Sequence, residues 1–145
     1  MNSLSVRYPS AELKDLADMG AFIEDSAISL GGDTDPVSEL QIAAREAITN
    51  VILHGYRGQP GLIVIVIERE NNDIRLRLLD SALPFDPTSA PVPDVTLPLE
   101  HRPCGGMGIQ MMRSFTDGLS YRWTTDGMNE LIFTKRNVAA KTGEM

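Results

Sequence analysis

Polar and apolar residues alternate over Ser3-Leu4-Ser5-Val6-Arg7-Tyr8, a period of two that predicts a short half-buried strand at a sheet edge, ended by Pro9-Ser10. The period then lengthens: Leu13, Leu16, Phe22 and Ile23 recur at roughly helical spacing. They predict a helix capped by Ser10 and running through about Leu30, weakened in its middle by Gly20 and stopped by Gly31-Gly32. Asp35-Pro36 predicts the start of a second helix, with the carboxylate accepting from free amides and proline presetting φ. Leu40, Ala43, Ala44, Ala47, Ile48 and Val51 give that helix a wide apolar stripe, and Gly55 with Gly58-Gln59-Pro60-Gly61 ends it. Residues 62–67 are apolar at every position and rich in β-branched side chains, which predicts a central strand covered on both faces. After a turn at Asn71-Asn72-Asp73, Ile74, Leu76 and Leu78 alternate with Arg75 and Arg77, the pattern of an antiparallel partner strand ending at Leu79-Asp80.

Between Ser81 and Cys104 the pattern is lost, because Pro84, Pro87, Pro91, Pro93, Pro98 and Pro103 prevent regular structure. A loop of that length inside a compact domain is either functional or disordered. Beyond it, Gly105-Gly106-Met107-Gly108 opens a short helix carrying Ile109, Met112 and Phe115. A hairpin follows, with strands over residues 119–125 and 130–135 closed around Asp126-Gly127. Residues 137–145 have few packing side chains and are expected to fray.

With 145 residues the chain suits one domain, with a core over about 3–136. Its 13 basic and 20 acidic residues give a net charge of −7, which argues against a nucleic-acid backbone or an anionic membrane as the main partner. The one cysteine, Cys104, cannot form an internal disulfide, and MNSLSVRYPS has no apolar stretch preceding a cleavage site, so the cytoplasm is the expected compartment. The apolar run at 62–67 falls far short of the ~20 residues that span a bilayer. His54 and His101 lack ligand neighbours at zinc spacing and read as packing or surface residues. Nothing pairs a serine with a histidine as an acyl-enzyme mechanism requires.

Three stretches carry candidate chemistry. In Glu46-Ala47-Ile48-Thr49-Asn50 a helix would place Glu46 and Asn50 on one face, roughly 6 Å apart along the axis. A carboxylate there can take a proton and a carboxamide oxygen can hold Mg2+, a pairing suited to phosphoryl transfer, although such pairs are more often a solvated helix face. Asp80-Ser81-Ala82-Leu83-Pro84-Phe85-Asp86-Pro87 puts a carboxylate where a buried strand emerges. Asp80 could accept the exocyclic amine of adenine, with small Ala82 letting the ring approach, or simply cap the next turn. Gly105-Gly106-Met107-Gly108 at a helix start could turn backbone amides toward phosphate, or be only a tight loop. It matches neither the dinucleotide fingerprint nor the phosphate loop with a closing lysine.

In this fixed order the three stretches resemble the N box and the first and second glycine boxes of the GHKL superfamily, the ATP-binding fold shared by gyrase, heat-shock chaperones, histidine kinases and mismatch-repair ATPases. Within it, E-A-I-T-N-V-I-L-H-G-Y and D-S-A-L-P-F-D-P are similar to the anti-sigma-factor serine/threonine kinases, over about residues 3–136. The resemblance implies an α+β, two-layer α/β sandwich of the Bergerat type, with a mixed, mostly antiparallel sheet and helices on one face. It implies ATP and Mg2+ as ligands, Glu46 as general base, Asn50 as the Mg2+-holding side chain and Asp80 with Ala82 at the adenine. Gly105, Gly106, Met107 and Gly108 would follow a lid over about residues 88–104 and contact phosphate. The implied partners are an anti-sigma-factor antagonist, a sigma factor and a second copy of the chain, with no nucleic acid or membrane. Two alternatives stay open: a module that uses ATP as a conformational ligand without transferring phosphate, and a detached histidine-kinase catalytic domain. The family's first glycine box has glycine where this chain has Ala82, which places nucleotide affinity in question if the backbone there needs a positive φ.

Overall fold

The computed structural model describes residues 2–89 and 106–139. Five strands, β1 (Ser3–Ala11), β2 (Gly61–Glu70), β3 (Asp73–Asp80), β4 (Gly118–Trp123) and β5 (Asn129–Lys135), form one sheet in the order β1-β2-β3-β5-β4. Every pairing among the described residues is antiparallel, so the sheet there is not mixed. Three helices, α1 (Leu16–Ser29), α2 (Thr34–Asn50) and α3 (Gly106–Ser114), complete the α+β architecture. The expected edge position of the first strand and the expected final hairpin are both found.

The helices lie on one face, and the alternation of burial along β2 records it. Ile63, Ile65 and Ile67 are fully buried, whereas Leu62, Val64 and Val66 are half-buried. The sequence expectation that this strand is covered on both faces is therefore corrected. Its second face is shared instead with the charged side chains of the neighbouring strands: Val66 pairs with Arg77, and Arg77 donates to Glu130 Oε2 at 2.9 Å. Against the covered face, α2 buries Val37, Leu40, Ala43, Ala44, Ala47 and Ile48. Gly20 sits inside α1 without ending it, because α2 approaches so closely that a Cβ there would lie 3.3 Å from Arg45 Cδ and from Gln41 Nε2. Gln41 Nε2 donates to the Gly20 carbonyl at 2.7 Å, so the glycine marks a helix contact.

Several boundaries differ from the sequence reading. β1 runs past Pro9-Ser10 to Ala11 with a register irregularity after Tyr8, which an edge strand tolerates because the missing proline N–H faces no partner. Ser10 does not cap the first helix: a 3-10 turn at Leu13–Asp15, with Glu12 as its N-cap residue, precedes α1, whose own N-cap residue is Asp15, and the Glu12 N–H donates to Asp15 Oδ2 at 2.9 Å. α2 begins at Thr34 with Asp33 as its N-cap residue, and Asp35-Pro36 fall within its first turn, where proline's lost donor breaks no helix bond. The segment expected to fray is docked at its start. Val138 and Ala139 donate to the Asn72 carbonyl at 2.9 Å, the Val138 carbonyl accepts from Asp33 N–H at 2.8 Å, and Ala139 is buried. Of the expected lid, Thr88 and Ser89 end a 3-10 turn at Pro87–Ser89 and the rest, with His101 and Cys104, lies outside the described residues, as do Gly105 and residues 140–145.

Candidate active site

At the C-terminal end of α2 the chain does not stop but widens into a π-helical turn, Val51–Gly55, in which Tyr56 N–H reaches the Val51 carbonyl at 2.8 Å. Such turns add a residue to a helix face and recur at functional sites. Here the turn carries His54 and Gly55 to the wall of a cavity of about 360 Å³. Ala47, Asn50 and Val51 continue the same wall, Leu78 and Leu131 form part of its base, and Ile109 and Met112 enter from α3. His54 is thus an exposed surface residue at the cavity margin.

Asp80, at the last position of β3, is 5% exposed and lines the cavity. Its Oδ1 accepts from Ala82 N–H at 2.9 Å and from Asn129 Nδ2 at 2.9 Å. Burial raises its pKa above the ordinary carboxylate value, and these two hydrogen bonds oppose that rise by favouring the charged form. Ala82 is not among the left-handed non-glycine residues of the described chain, which are Arg57, Asn71 and Asn137. Alanine therefore occupies the glycine position without backbone strain. Its methyl group faces Gly55, where an added Cβ would lie 3.1 Å away, so the glycine leaves the space that the methyl group needs. Tyr56 fastens this region: its hydroxyl donates to the Leu62 carbonyl at 2.5 Å and accepts from Ser81 N–H at 2.7 Å.

The N-box pair meets the second glycine box where α2 packs on α3. A Cβ on Gly108 would lie 3.1 Å from Glu46 Oε2 and 3.6 Å from Asn50 Nδ2. Glu46 and Asn50 are both half-buried, and Gly108 leaves open the space beside them that a side chain would fill. Gly106 and Met107 lie in the first turn of α3. The fold thus brings together Glu46, Asn50 and Gly108 at one end and Asn50, Asp80 and Ala82 around the cavity.

Asn129 and Tyr121 also line the cavity, and the sequence reading missed both. Asn129 stands directly opposite Asp80 in the β3–β5 register, and the Tyr121 hydroxyl donates to its Oδ1 at 2.6 Å. Local sequence offers one weak signal, a polar residue two places after the Asp126-Gly127 turn and just before an apolar strand.

An adenine nucleotide fits these residues: apolar walls suit the ring, the floor carboxylate suits its amine, and the cradle left by Gly108 suits a group of phosphate size. The amide oxygen of Asn50 beside that cradle, a hard donor, suits Mg2+ rather than a soft metal. A one-sided antiparallel sandwich with these features defines a class of ATP-binding domain. A model of the histidine kinase-like ATPase domain matches residues 10–135. The serine/threonine-protein kinase BtrW of Bordetella bronchiseptica is 31% identical over 99 residues, which cover 68% of this chain and 69% of that protein. The serine-protein kinase RsbW of Bacillus cereus is 28% identical over 94 residues, covering 62% of this chain and 59% of RsbW, so the match spans less than two thirds of that relative. Among solved structures, the RsbU and RsbW domains of a Mycobacterium tuberculosis protein share the fold with a TM-score of 0.62 at 15% identity, over 94% of this chain and 32% of that one. The chain belongs to the histidine kinase-like ATPase family, on its branch of serine/threonine-protein kinases. Among the described residues no helix is long and apolar enough to cross a membrane.

Proposed function

We propose that this chain is a single-domain, cytoplasmic, ATP- and Mg2+-dependent protein kinase of the anti-sigma type. In this reading it phosphorylates a serine or threonine of an anti-sigma-factor antagonist and binds a sigma factor in exchange. Bound ATP with Mg2+ supplies the phosphoryl group. Glu46 takes up the proton of the acceptor hydroxyl on its carboxylate, which raises the nucleophilicity of that oxygen as transfer proceeds. Asn50 offers its side-chain oxygen to the metal, and Asp80 accepts the adenine amine, with Ala82 leaving space for the ring. Gly106, Met107 and Gly108, in the first turn of α3, would hold the phosphate end through their backbone amides. The observation that supports this reading most directly is the approach of Gly108 to both Glu46 and Asn50, since one point in space then holds a base, a metal-binding amide and a gap.

Titration with ATP in the presence and absence of Mg2+, on wild-type protein and on Asn50→Ala, tests the site. The expected result is Mg2+-dependent binding that the substitution weakens by about tenfold or more, the scale of one missing metal ligand. Glu46→Gln is expected to keep ATP and to lose phosphotransfer to a partner by at least about 100-fold, the scale of general-base catalysis. No wild-type binding at millimolar ATP overturns the nucleotide reading. Undiminished regulation of a partner by Glu46→Gln would instead identify a nucleotide switch without phosphotransfer.

A further inference from the structure

The deepest polar residue pair in the cavity contains a side chain to which the proposed reaction gives no role. Asn129 is 6% exposed, and all its hydrogen-bonding groups are committed. Its Nδ2 donates to Asp80 Oδ1 at 2.9 Å and to the carbonyls of Ala82 and Leu83 at 3.2 Å each. Its Oδ1 accepts from Phe85 N–H at 3.0 Å and from the Tyr121 hydroxyl at 2.6 Å. The amide can point only one way. Reversed, it would set its oxygen against a carboxylate oxygen and its NH2 against the Phe85 N–H, leaving buried groups unpaired on both sides.

This fixed polarity has a consequence for Asp80. Oδ1 already receives two N–H donors, from Ala82 and Asn129, so Oδ2 is the oxygen left for a ligand in the cavity. Both donors favour the ionised carboxylate, which accepts and does not donate. Without them, burial would favour the neutral acid, whose O–H would suit a ring carbonyl as well as its remaining oxygen suits an amine. We infer that Asn129 is a positioning residue that holds Asp80 as a pure hydrogen-bond acceptor and so makes the site select a 6-amino purine over a 6-oxo purine. The inference rests on the nucleotide-binding reading above and adds the residue that sets base specificity.

ATP and inosine triphosphate share ribose and triphosphate and differ only on the purine's 6-position edge, where ATP has an amine beside a bare N1 and inosine triphosphate a carbonyl beside an N1–H, so the ratio of their affinities reads how the site treats that edge. Calorimetric titration of the whole chain with each, in Mg2+, is expected to give a wild-type preference for ATP of about 100-fold or more, because a mismatched polar pair is left buried. Asn129→Asp places a second carboxylate against Asp80, the two retain a shared proton, and the preference is expected to fall by at least about tenfold. Tyr121→Phe removes only the hydroxyl that orients the Asn129 amide and is expected to lower the ratio by about threefold, the scale of one neutral hydrogen bond. A general loosening of the cavity around the purine ring, in either variant, weakens both nucleotides together and leaves the ratio alone. An unchanged ratio in both variants overturns the inference, and if Asn129→Asp does not fold, the Tyr121→Phe ratio decides. Wild-type protein that binds neither nucleotide overturns the nucleotide reading and this inference with it. Wild-type protein that prefers ATP, with variants that keep the preference, overturns the inference alone.

Discussion

At Asp80, burial and the proposed role in recognising a ligand pull one side chain in opposite directions. Its carboxyl is held above the ordinary value of 3.8 by desolvation, so the native state binds the proton more tightly than the unfolded chain does. Above both pKa values the buried charge costs stability. That cost shrinks as pH falls through the raised native value and is gone below 3.8. Asp80→Asn keeps an oxygen for Ala82 and Asn129 and removes the charge. At pH 7 its melting temperature is expected to equal or exceed that of the wild type, with the difference vanishing under acid melting conditions below the ordinary carboxylate value. ATP affinity is expected to fall by about tenfold or more, because an N–H now meets the adenine amine. As candidates, Asp80, Asn50, Glu46 and Gly108 are legible because each belongs to a short contiguous stretch. Asn129 is not, because its meaning comes from a partner 49 positions away that only strand register brings opposite.

At the scale of elements, the connection between α2 and β2 positions the site. A Cβ on Gly61 would come within 2.5 Å of the Tyr56 ring, so the ring occupies the space that the glycine leaves. Gly61→Ala must push the ring aside and break the hydrogen bonds of its hydroxyl to the Leu62 carbonyl and the Ser81 N–H. Urea unfolding is expected to show a loss of about 2 kcal/mol, typical of overpacking. ATP affinity should fall with it, since the Ser81 attachment holds the loop after Asp80. A Gly61→Ala protein as stable as wild type would refute this role for the ring. The sequence read Gly61 only as a helix terminator, since nothing local says what lies above a glycine. The π-helical turn was invisible for a related reason: residues 51–55 carry no composition that separates them from an ordinary helix end. The misreading of β2 has a different origin. A continuous apolar run gives the burial that its residues would accept, whereas the placement of α1 and α2 decides which face receives it.

Over the whole molecule, the two ends of β3 do different work. Asp80 lies at one end, and at the other the residues after β5 close onto the Asn71-Asn72 turn and the loop before α2. Asn137 N–H donates to Asp73 Oδ1 at 2.9 Å, and Gly32 bridges Ala139. Truncation after Arg136 removes these bonds together with the one from Asp33 N–H to the Val138 carbonyl. With the two bonds from Val138 and Ala139 to the Asn72 carbonyl, four hydrogen bonds are lost, and the protein is expected to be destabilised by about 4 kcal/mol, at roughly 1 kcal/mol per net hydrogen bond. Because this clasp lies at the end of the sheet away from the cavity, ATP affinity measured below the melting transition should be unchanged. Equal melting temperatures for the full and truncated chains would show that the clasp contributes nothing.

The pairing of Asp80 with Asn129 also fixes when, during folding, the cavity comes into being. β2 with β3, and β4 with β5, are hairpins that close over short loops, whereas β3 meets β5 only after a long stretch of chain has been drawn in. Closing that span costs more entropy than closing either hairpin, so the cavity floor is among the last parts of the sheet to form. A ligand that needs the finished floor has no site in the unfolded chain or in the separate hairpins. In stopped-flow experiments saturating ATP is therefore expected to slow unfolding and leave the refolding rate unaltered, so that a nucleotide-loaded chain persists longer without having folded any faster.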